Sequence, residues 1–188
     1  MISAQEIVSG LRGAIRLALR DPAGHAFFNA TVEGFWRSFT AALLMLPAYL
    51  LLLAVRPEAA GAEMGPRFLV VQLIAYVIGW FAFPNAMFHL AAMLGRADRF
   101  IGYIVAVNWC NAVQMGLIAT IALLDLLGLP DQMAAFLRLV LFLWALSYSW
   151  FVARTGLGVG GFTAAGIVAL DIFLSLVILD LAGYIERG

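Results

Sequence analysis

The chain has 188 residues, 64% of them hydrophobic and 12% charged, with a mean hydropathy of +1.00 and eleven basic residues balanced by eleven acidic ones. A soluble domain is about 25% charged and half apolar or less; on a chain this small the excess would expose large apolar patches to water, which excludes an ordinary water-soluble domain. A zero net charge without blocks of like charge gives no support to nucleic-acid binding, and the single cysteine, Cys110, permits neither an intramolecular disulfide nor a cysteine-built metal site.

The predicted fold is therefore an all-α, polytopic transmembrane bundle of about five spans at 38–188, preceded by an amphipathic interfacial segment at 1–37. All the basic residues are arginines, as in a GC-rich bacterial genome. Glu6, Arg12, Arg16 and Arg20 interrupt any apolar run near the start, so these residues do not read as a signal peptide and are expected to stay on the mature chain.

Ser3 to Arg20 predicts an amphipathic helix. Ser3 and Glu6 have capping-box spacing. Ile7, Leu11 and Ile15 form an apolar row beside the basic row Arg12, Arg16 and Arg20. The preferred placement is at the membrane surface, with those arginines facing lipid headgroups; packing on the protein's own loops is the alternative. Asp21-Pro22 ends the helix.

A bilayer core about 30 Å thick takes about 20 apolar residues in a helix. Five segments meet this demand: Ser38–Val55, Phe68–Leu94, Phe100–Leu127, Met133–Val152 and Phe162–Ile185. Pro84 is expected to kink the second. Breaker-rich connections separate them, at Arg56-Pro57-Glu58, Gly95–Arg99, Gly128–Asp131 and Arg154-Thr155-Gly156. With the N-terminus cytoplasmic, Arg12, Arg16, Arg20, Arg37, Arg96, Arg99 and Arg154 lie inside, and Arg56, Arg67, Arg138 and Arg187 lie outside. Seven against four favours a cytoplasmic N-terminus and a periplasmic C-terminus.

Asp171, within the fifth span, costs at least about 2.5–3.5 kcal/mol in hydrocarbon. It is expected to face the bundle, either as a proton- or ion-coupled site or as an inter-helix packing bond, the latter preferred. Asn108, Asn111 and Gln114 recur every three residues on the third span. They are its proposed neighbours, as packing glue or as the wall of a small hydrated cavity. Gly156, Gly160, Gly161, Ala164 and Ala165 contain small residues four apart, which permits close packing of the fifth helix; with no preceding strand and no Lys-Ser/Thr, the glycines are not a phosphate loop. His25 and His89 complete no metal set. Asp125 and Asp180 are expected to reach water. No nucleophile motif, paired carboxylates or zinc motif is present, so neither enzymatic activity nor a cofactor is expected.

Several short motifs are similar to those of the Yip-type (Rab-interacting) five-span family and its bacterial relatives. They are Ala26-Phe27-Phe28 with Gly34–Phe39 at the first span's entry, Pro47 within it, Phe100-Ile101-Gly102-Tyr103, and Tyr148–Phe151 followed by Thr155–Gly158. The resemblance covers about Asp21 to the end. It implies five closely spaced helices with the N-terminus cytoplasmic and, in eukaryotic members, trafficking adaptors that bind small GTPases; this chain has only a short N-terminal region in place of the long cytosolic one of many such members. The leading expectation is a non-enzymatic scaffold or adaptor of the bacterial inner membrane, associating with lipid, another membrane protein or itself. The alternative is a small permease or channel-like protein centred on Asp171.

Overall fold

The computed structural model describes residues 3–55 and 65–187, which are helices and turns; Arg56-Pro57-Glu58 lies outside them. The helices are α1 (Ala4–Ala18), α2 (Val32–Ser38), α3 (Thr40–Ala54), α4 (Pro66–Met93), α5 (Phe100–Leu126), α6 (Asp131–Leu157) and α7 (Gly161–Arg187), with 3-10 turns at Pro22–Phe27 and Ala97–Arg99.

Five helices are long and apolar enough to cross a membrane: Val32–Ala54, in which α2 leads into α3, then Pro66–Met93, Ala97–Leu126, Asp131–Leu157 and Gly161–Glu186. The chain is a multi-pass membrane protein. Its apolar side chains point outward as much as inward: Phe81 and Phe88 on α4, Phe136 and Phe142 on α6, and Phe173 and Leu176 on α7 are exposed. Lipid accepts such a surface, whereas water would not.

Local chemistry sets the helix ends. The Glu6 backbone N–H donates to Ser3 Oγ at 3.1 Å, which caps α1. The other half of the expected capping box is not made, because the Glu6 carboxylate accepts from Arg37 and Asn29 instead. Arg20 closes α1 with φ +65°, in the left-handed region, and the Asp21 N–H donates back to the Arg16 carbonyl. Asp21 caps the following 3-10 turn through Ala23 N, and Thr31 caps α2 through Gly34 N. Gly158 ends α6 in the left-handed conformation, at φ +64°.

Helix α5 is the hub, packing against α6, α3 and α1, while α4 pairs with α7. Its buried run of Tyr103, Ile104, Val105 and Ala106 forms much of the core with Phe28, Met87, Tyr148 and Val152. Helix α1 joins that core instead of lying apart from the spans. Gly10 admits the Trp109 indole, Tyr148 Oη donates to the Ala14 carbonyl at 2.6 Å, and Leu17 is fully buried. A Cβ on Gly24 would come within 2.6 Å of the Gly13 carbonyl oxygen, so these two glycines let the turn close on α1.

The N-terminal elements share one end of the bundle with the α4–α5 and α6–α7 connections. Arg99 lies over Gly158, and His25 bonds Thr155 at 2.8 Å. At the opposite end Arg67 donates to the Ile185 carbonyl, and Arg138 pairs with Asp125.

Candidate functional site

Residues 108, 111 and 114 on α5 step around the helix by about 60° each, since three residues turn it through about 300°. That rotation gives them different neighbours. Asn108 faces the α2–α3 junction, where its Nδ2 donates to Ser38 Oγ at 2.8 Å; both residues are buried. The Ser38 hydroxyl in turn donates to the Phe35 carbonyl. Asn111 and Gln114 turn toward α4 and α7 and line a cavity of about 430 Å³ that Asn108 also borders.

Asp171 lies three turns into α7 and lines the same cavity. All four members of the expected polar site therefore meet around one space. Asp171 also borders a smaller recess of about 20 Å³ with Tyr103, Cys110 and Ser149. Among the described residues it is the only charged side chain lining the larger cavity. Ser175 donates to its backbone carbonyl, not to its carboxylate.

The polar lining divides by use. Tyr49 Oη donates to Gln72 Oε1 at 2.9 Å, and Gln72 Nε2 donates to Glu186 at 2.7 Å, so these three form a chain across α3, α4 and α7. Tyr76 Oη donates to the Ala42 carbonyl, and its ring stacks on Tyr49 with centroids 4.4 Å apart. The side chains of Asp171, Asn111 and Gln114 have no hydrogen bond or ion pair among the described residues.

Two further features shape the space. Gly79 leaves it open, with no heavy atom within 4 Å of where its Cβ would stand. Pro84 is buried in the α4 wall, where its ring removes the helical bond to the Trp80 carbonyl. Gln72, Tyr49, Tyr76 and Trp80 were not singled out by sequence reasoning. Gln72 carried a usable signal, as an amide inside an apolar span.

Elsewhere the expected residues divide. Arg12 is exposed. Arg16 pairs with Asp21 at 3.2 Å and lies over the Phe27 ring. Arg20 donates to the Ser147 carbonyl and hydroxyl and lies over Phe151, so its guanidinium is held by α6. Gly156 admits His25 and Tyr103, and Ala164 is fully buried; Gly160 and Ala165 are exposed, and the Gly161 carbonyl accepts from Trp150. Burial of the His25 imidazole lowers its pKa below the ordinary histidine value. His89 is exposed beside Phe88, and no group of three metal-ligating side chains occurs among the described residues.

Comparison with protein-family models, with curated proteins and with solved structures returns no match for this chain.

Proposed function

We propose that this chain is a permease-type membrane protein, not an enzyme, that binds a small polar solute in the cavity around Asp171. One observation carries the proposal: a carboxylate and two amides face a shared space of about 430 Å³ without spending their hydrogen bonds on the protein. That volume lies within the range of small-molecule sites, which are mostly apolar and orient their ligand by a few polar groups. A purely structural polar cluster would satisfy itself, as Asn108 with Ser38 and Gln72 with Tyr49 and Glu186 do.

Stopped-flow swelling of proteoliposomes tests the reading, with urea, glycerol, glycine and methylammonium chloride as probes. At least one probe is expected to enter faster than into protein-free vesicles, and Asp171→Asn or Gly79→Trp is expected to reduce that excess at least tenfold. Entry no faster than in empty vesicles, or entry unchanged in both variants, removes the permease reading. It would leave the adaptor that associates with lipid or another membrane protein, which the outer face of α7 favours: Ala165, Gly166 and Ala169 are exposed there beside Phe162. The five-span layout is the one that the Yip-type resemblance implies, and either role is compatible with it.

A further inference from the structure

We propose that the solute taken by this cavity is a small organic cation of the alkylammonium type, held against the Asp171 carboxylate; this rests on the solute-binding reading above. The charge of the lining decides the sign. Among the described residues that line the space, Asp171 is the only carboxylate, and no arginine or histidine lines it. A bound anion would meet a lone carboxylate with no compensating cation, in surroundings where Coulomb energies are far larger than in water. A bound cation would supply the missing partner and remove the cost of an unpaired charge.

The remaining walls select for an alkylated cation over a bare metal ion. Hard metal ions are held by several oxygen ligands, carboxylates prominent among them, and Asp171 is the only carboxylate among the described residues lining the space, with no group of three His, Cys, Asp or Glu among the described residues. The walls are instead the rings of Tyr49, Tyr76, Trp80 and Phe83. Aromatic faces attract ammonium groups, and the attraction grows when water is excluded. Asn111 and Gln114 offer amide oxygens that can accept N–H bonds from a primary ammonium or orient a hydroxyl beside a quaternary one. A polyol would find too few unspent polar groups, because Gln72, Tyr76 and Asn108 are already bonded within the protein.

Calorimetric titration of the full-length protein in lipid nanodiscs separates charge from shape. The probes are choline and butylammonium, each set against a neutral analogue of similar form, 3,3-dimethylbutan-1-ol and butan-1-ol. At least one cation is expected to bind ten times or more tighter than its neutral counterpart. Asp171→Asn, which keeps the size of the side chain, is expected to abolish that preference. Gly79→Trp is expected to abolish binding altogether by occupying the space. Equal binding of cation and neutral analogue, or a preference that survives Asp171→Asn, overturns the cation assignment while leaving a solute site in place. Absence of binding by every probe overturns the assignment too, and swelling indifferent to Gly79→Trp then removes the cavity reading with it.

Discussion

At the scale of single residues, Ser38 and Asn108 show how a membrane interior handles polarity. Among the described residues Asn108 Nδ2 has one partner, the Ser38 hydroxyl at 2.8 Å, and both residues are buried. Ser38→Ala removes that partner and leaves the amide buried and unsatisfied. Inter-helix polar contacts in membranes are worth roughly 0.6–2 kcal/mol, so the expected loss is about 1–2 kcal/mol. Reversible unfolding in mixed micelles would measure it, and Ser38→Ala as stable as the parent would show that the bond contributes nothing. The sequence made this stripe legible as a set, but not its division. Spacing of three residues put Asn108, Asn111 and Gln114 within one third of the helix circumference, and it could not show that Ser38 consumes the first and leaves the other two to the cavity. That depended on how α2 meets α5, which no periodicity encodes.

At the scale of elements, α1 and the turn that follows it form a clamp on the ends of α5 and α6. The amphipathic pattern of α1 was readable, and so was its cap. What its apolar stripe covers was not, because a stripe fits lipid and protein equally well. The structure sets Gly10 and Ala14 of α1 against Trp109 and Tyr148 and leaves Ile15 of the stripe 51% exposed, and glycines 10, 13 and 24 make the approach close. His25 is expected to make the clamp pH-sensitive. Its ring is partly buried against Thr155 and Gly156, its bond to Thr155 is 2.8 Å, and that burial lowers its pKa. The unfolded chain therefore binds a proton at higher pH than the folded one does, so stability rises with pH through that window. The contribution is fully present above the ordinary histidine value near 6.5 and is lost as pH falls toward the lowered one. Thermal unfolding between pH 7.5 and 5 is expected to show a falling midpoint for the parent. His25→Gln, which keeps a hydrogen-bonding group for Thr155, is expected to flatten that fall. A slope unchanged by the substitution would assign the pH dependence to another group.

At the scale of the whole molecule, the five spans were legible almost to their ends, because runs of about 20 apolar residues have few other uses. Two boundaries moved for identifiable reasons. The first span starts at Val32 because α2 continues into α3, and the fourth runs on to Leu157 because its last turn is held by the N-terminal clamp, with Thr155 bonded to His25 and Gly156 against the His25 ring. The cavity was beyond reach, since it lies among four helices whose mutual rotation no single segment records. Orientation is the remaining property of the whole. The end that carries α1 also carries Arg37, Arg96, Arg99 and Arg154, and Arg99 folds over the α6–α7 turn at Gly158. By the preference of short cytoplasmic loops for arginine, this end is expected to face the cytoplasm and the Arg67 and Arg138 end the periplasm. Cys110 is buried and is the chain's only cysteine, so Cys110→Ala yields a background without reactive thiols. In it, Leu127→Cys, at a position 83% exposed just after α5, should react with a membrane-impermeant maleimide on intact bacterial spheroplasts. Ala97→Cys, exposed in the turn before α5, should react only after the membrane is opened. The reverse pattern would invert the molecule and turn the N-terminal clamp outward.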